Sequence, residues 1–82
     1  MIERDEITAY ERATILKIIE SINAEIGANG KSQKDISRLL AKKGHFHVRI
    51  GEKFQGKQAF KDVLELDSEN SWAKNSLRKL NS

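Results

Sequence analysis

The sequence contains no cysteine, which removes disulfides, thiolate metal sites and a cysteine nucleophile. It contains no proline, so no position forces a break into a helix. No apolar run approaches the roughly 20 residues that a membrane-spanning helix needs. The opening MIERDEITAY is acidic and polar, unlike the basic and then apolar start of a secretory signal. Aromatic residues are scarce, with three Phe, one Tyr and one Trp, so a core has to be built mainly from aliphatic side chains. These absences suit a reducing interior compartment, and the expected location is cytoplasmic.

What is present favours helix. With 82 residues the chain makes one domain, and a domain of this size buries only about 60–65% of the surface its unfolded form exposes. A composition 38% apolar and 33% charged is that of a folded, water-facing chain rather than a disordered one. Abundant Lys, Glu, Ala and Leu without proline point to an all-α fold. The net charge of +3 is unevenly spread. Residues 1–30 carry three basic and six acidic side chains, residues 31–57 eight and two, and residues 58–82 four of each. A basic middle suits an acidic partner or a phosphate backbone, and it is equally the solvated face of a lysine-rich helix.

Apolar spacing divides the chain into segments. Ile15, Ile19, Ile22 and Ile26 recur at helical intervals. Ile18 and Leu16 widen that stripe, and Ile7 and Tyr10 extend it toward the start. Asp5 or Thr8 is placed to cap this helix, Thr8 and Glu11 having the capping-box spacing, and Gly27 supplies its stop. The isoleucine stripe serves either as half of the core or as the seam of a homodimer; the shortage of other apolar residues favours core. Ser32 and Asp35 mark a second helix start, followed by the apolar face Ile36, Leu39 and Leu40.

Residues 45–50, His-Phe-His-Val-Arg-Ile, alternate polar and apolar between two glycines and in isolation read as a strand. A strand needs a partner, and no second strand pattern exists in the chain. The helical reading is preferred, with Gly44 inside the helix where a neighbour approaches closely. Residues 54–66 then form a helix with Ala59, Phe60, Val63, Leu64 and Leu66 on its apolar side. Residues 67–70 end it and cap a last helix over 71–80, with Trp72, Ala73, Leu77 and Leu80 facing inward. The result is a single helical domain over residues 1–82, a small all-α bundle of about four helices. Its parts are an amphipathic N-terminal helix in 1–30, a helical hairpin in 31–70 and a capping helix in 71–82.

Few residues suggest chemistry. His45 and His47 would face one side of a strand and could share a metal there. On a helix they point about 200° apart, and neither cysteine nor an obvious third ligand accompanies them. Gly51, Gly56 and Lys57 have part of the spacing of a phosphate-binding loop, but Gln58 stands where the magnesium-ligating hydroxyl belongs and no strand precedes. Carboxylates are scattered singly, with no serine or histidine pairing. No catalytic residue, metal site or cofactor is expected, and the chain reads as non-enzymatic.

Residues 37–70 resemble one tetratricopeptide repeat, a helix–turn–helix unit. VLELDSEN is similar to the closing stretch of that repeat, with Val63 at its small-residue position and Phe60 at its aromatic position. Gly56 stands at the small position where the two helices cross. Gly51 stands in the turn, and Gly44 on the glycine of the first helix with Leu40 before it. Ser68 replaces the usual proline and His47 the usual aromatic. Residues 71–80 resemble the start of a following repeat or its solvating cap. The resemblance implies a protein-binding module that holds a partner peptide or helix in a groove between helices. On geometry, Lys43, His47 and Ile50 would line the groove, with Lys74 and Arg78 adding positive charge.

The alternative is nucleic-acid binding. Residues 32–40 resemble the first helix of a helix-turn-helix, which would put a recognition segment after Gly44. Lys34, Arg38, Lys42, Lys43, Arg49 and Lys53 would then be its contacts.

Overall fold

The computed structural model describes residues 8–28 and 30–81. It has four helices and, among the described residues, no strand: α1 Ala9–Ile26, α2 Gln33–Arg49, α3 Lys53–Leu66 and α4 Ser71–Asn81. Asp5 and Ile7, placed by the sequence at the start of the first helix, lie outside the described residues.

Three of the helices begin where a side-chain oxygen meets their free N–H groups. The Glu11 backbone N–H donates to Thr8 Oγ1 at 3.0 Å, and the Thr8 N–H donates to Glu11 Oε1 at 3.0 Å, a full capping box. The Asp35 N–H donates to Ser32 Oγ at 3.1 Å, and the Ala73 N–H to Asn70 Oδ1 at 2.8 Å. The Asn70 side-chain amide also donates to Asp67 Oδ2 at 3.2 Å, tying the end of α3 to the start of α4. α3 starts at Glu52 without a side-chain cap.

The stretch 45–50, open to a strand reading, is helical to Arg49. It ends in the hydrogen-bond pattern of a Schellman motif. The Gly51 N–H donates to the Val48 carbonyl at 3.0 Å and the Glu52 N–H to the His47 carbonyl at 2.8 Å. Gly51 sits at φ +87°, a conformation glycine adopts without penalty.

α2 and α3 form the central antiparallel hairpin. Gly44 faces Phe60, Gly56 faces Val48, and the start of α2 at Lys34 lies beside the end of α3 at Leu66. A β-carbon on Gly44 would stand 3.0 Å from the Phe60 ring. One on Gly56 would overlap Val48 Cγ2 and lie 3.1 Å from the Gly44 carbonyl oxygen. The two glycines therefore set how closely the helices cross.

α1 packs on α2 and α4 on α3, and the apolar interior falls into two clusters. Ala41, Phe60, Val63 and Ala73 centre one, with Leu40, Val48, Leu64, Leu77 and Leu80 against them. Ile15, Ile19 and Ile50 centre the other, with Phe46 against them. The molecule is flattened, 46 × 30 × 15 Å, and its radius of gyration of 13.4 Å exceeds the roughly 11.7 Å expected of a rounded domain of this length.

Four apolar assignments change. Tyr10 is 81% exposed and Leu16 is exposed, so the buried stripe of α1 is Ile15, Ile19 and Ile22 alone. Trp72 is 46% exposed; the inward face of α4 is Ala73, Leu77 and Leu80. Ile50 is 1% exposed and belongs to the interior.

Candidate functional site

Because the helices lie nearly in one layer, α2 is flanked on both broad sides by shallow grooves. On one side α1 and the start of α4 rise beside α2. The groove between them has a volume of about 430 Å³ and is lined by Ile18, Ile22, Leu39, Phe46 and Trp72 together with the exposed Lys42 and His45. It runs on along α2 toward Lys31, Asp35 and Arg38, with Glu25 and Lys42 shared between the two parts.

Arg38, Lys42, His45 and Arg49 stand at i, i+4, i+7 and i+11 on α2, and all four are exposed. That spacing makes one stripe along the helix. Trp72 keeps a tilted contact with Phe60, ring centroids 6.4 Å apart, while almost half its surface faces solvent. The ring is thus anchored on the hairpin at one edge and open to the groove.

On the opposite side Lys43 and His47 line a groove of about 350 Å³ with Asn23 of α1 and Phe54, Gln55 and Gln58 of α3. Phe54 is 76% exposed. His47 Nδ1 is 2.7 Å from Glu52 Oε1 across the α2–α3 turn. This pair occupies the place where a Schellman motif often has an apolar contact. His45 and His47 accordingly serve opposite sides of the layer, and among the described residues no group of three metal-ligating side chains occurs.

The residues assigned to partner binding from sequence do not converge. Lys43 and His47 share the α1–α2–α3 groove. Ile50 is buried against Ile15 and Ile19 and cannot line any groove; as the residue closing α2, it is drawn under α1. Its carbonyl accepts from Arg12 Nη2 of α1 at 2.8 Å. Lys74 pairs with Glu69 at 3.3 Å and Arg78 donates to Asn75 at 2.9 Å, both on α4.

The nucleic-acid set divides as well. Arg38 and Lys42 are neighbours in the α1–α2 part of the first groove. Lys43 faces the other side, Lys34 lies by the end of α3, and Lys53 is exposed at the start of α3. Arg49 lies 4.0 Å from Glu11. The turn that a helix-turn-helix needs before Gly44 is not there, because α2 runs unbroken from Gln33 to Arg49.

Sequence reasoning placed Trp72 in the core and so missed it as a groove residue. It also missed Arg12, whose partner lies 38 residues away. No helix of the described residues is long and apolar enough to cross a membrane. No protein-family model matches the chain, and neither does any curated protein or solved structure.

Proposed function

We propose that this chain is a non-enzymatic protein-interaction module that holds a partner helix or peptide in the groove bounded by α1, α2 and α4. The observation that carries the reading is Trp72, fixed against Phe60 yet 46% exposed at a groove with aliphatic walls. Covering a half-exposed aromatic beside aliphatic side chains removes apolar surface from water, and such anchors dominate binding energy at interfaces.

The hairpin supports a kinship with tetratricopeptide units. It has a close helix crossing at Gly44 and Gly56, a glycine turn at Gly51 and a following helix against α3. A homodimer through α1 would have to use its outer side, with Tyr10 and Leu16, since Ile15, Ile19 and Ile22 already face the chain's own interior. The cysteine-free composition suits work in the cytoplasm.

A photo-crosslinking amino acid at Ser21, which lines the groove, and at the exposed Glu20, which points about 100° away around α1, tests the reading in cells. A protein adduct at position 21 that is missing at position 20 is the expected result. Adducts with nucleic acid in place of protein, or equal labelling at both positions, would remove it.

A further inference from the structure

We infer that the partner of the α1–α2–α4 groove is an acidic amphipathic helix, seated with its apolar side against Trp72 and the α1 aliphatics and its carboxylates over the α2 basic stripe. This rests on the groove reading above and adds the chemistry of the occupant.

Shape and charge both bear on it. The apolar walls are split between the two sides of the groove, Ile18, Ile22 and Phe46 toward α1 and Trp72 on α4. A ridge of side chains fits such a channel better than a flat surface does. The channel is open along α2, as a helix laid lengthwise requires. Lys42 lines the groove with them, and Arg38, one turn toward the start of α2, lines its continuation together with Lys31. None of these three cations has an ion pair or side-chain hydrogen bond among the described residues. Two carboxylates share the surface, Glu25 of α1 and Asp35 of α2. They leave an excess of one positive charge here; Arg49, farther along the same stripe, is balanced by Glu11 at 4.0 Å. An acidic partner would be steered to this side and held in register by Arg38 and Lys42.

The same cations could hold phosphates, but two observations weigh against a nucleic acid. Ile18, Ile22 and Leu39 offer nothing to a sugar–phosphate backbone, whose contacts are polar and charged; Phe46 and Trp72 are able to stack unpaired bases, which is why a single strand is among the probes below. Glu25 and Asp35 also stand among the cations where phosphates would pass.

Trp72 is the only tryptophan in the chain, so its emission reports on this groove. The test titrates the protein at low salt with a synthetic helix bearing a leucine stripe flanked by glutamates. The same helix with glutamines, the same with lysines, a single-stranded oligonucleotide and a DNA duplex are run alongside. The glutamate helix should blue-shift Trp72 and bind about tenfold more tightly than the glutamine helix, as two or three exposed ion pairs would give. Raising salt should narrow that gap. The double variant Arg38→Glu with Lys42→Glu, at exposed positions and checked for unchanged helix content, should reverse the order of the glutamate and lysine helices.

Equal binding of the glutamate and glutamine helices would overturn the acidic preference while leaving the groove as a binding site. A Trp72 response to oligonucleotide alone, or to none of the probes, would overturn the proposal. The crosslink at Ser21 then decides separately whether the groove takes a protein at all.

Discussion

The Phe60 ring packs directly against Gly44, its nearest carbons 3.0 Å from where a β-carbon would stand. Gly44→Ala would gain about 1 kcal/mol of helix propensity. It would also force the ring to shift, at an overpacking cost of about 1–3 kcal/mol. A net loss of about 1 kcal/mol is expected in urea unfolding. Gly56→Ala should cost more, about 2–3 kcal/mol, because its new methyl meets both Val48 and the Gly44 backbone oxygen, and backbone cannot step aside. Shortening Val48 to Ala in the Gly56→Ala background should recover part of that loss. Strictly additive effects of the two changes would mean that the crossing is not as close as described.

Gly51 closes α2 at φ +87° with open space around it, so a side chain there meets strain in the backbone and no clash. Gly51→Ala should lower stability by about 1 kcal/mol, and Gly51→Asn by less, since asparagine tolerates the left-handed region. Thermal unfolding of the two variants orders them. Equal stabilities would show that the turn is not held at positive φ.

How much of this was legible in the sequence depended on range. Thr8 with Glu11, Ser32 with Asp35 and the turn at Asp67 to Asn70 are contacts within one helical turn, and the residue types that make them announce them. Gly44 was legible only through a second glycine, since a helical glycine makes sense once something lies against it. Ile50 was not legible. Its position after Arg49 gives no sign that α1 will cross there and cover it. Trp72 misled for the opposite reason: periodicity placed it on the inward side of α4, yet in the first turn of that helix almost half of it stays open to solvent. The groove therefore depends on where helices end relative to one another, which no local pattern encodes.

Glu11 gives the start of α1 a pH dependence. The Thr8 backbone N–H donating to its carboxylate holds Glu11 below the usual carboxylate range, with the Thr8 hydroxyl and Arg49 adding to the effect and partial desolvation opposing it. A carboxyl group with a depressed folded pKa contributes stability above its unfolded pKa and loses it as pH falls through the folded value. Protonation in acid should therefore fray the first turn of α1. In Glu11→Gln, the amide signals of the first turn should no longer respond to acid as they do in the parent protein. Identical acid titrations of parent and variant, followed by NMR at Thr8, would remove Glu11 as the cause.

α1 is joined to the hairpin by the smaller cluster of Ile15, Ile19, Ile50 and Phe46, and by the Arg12 side chain on the Ile50 carbonyl. That carbonyl belongs to the free end of α2, where a cation is favoured by the helix dipole. Arg12→Ala should cost about 1–1.5 kcal/mol and Ile19→Ala about 2–4 kcal/mol. Both losses fall on contacts that α3 and α4 do not share. Hydrogen exchange should then show α1 amides opening before those around Phe60 and Val63 in the parent protein, and earlier still in the two variants, with the hairpin amides nearly unchanged. Uniform acceleration across all four helices would mean that α1 and the hairpin unfold as one unit. In that case the two apolar clusters are parts of a single cooperative core.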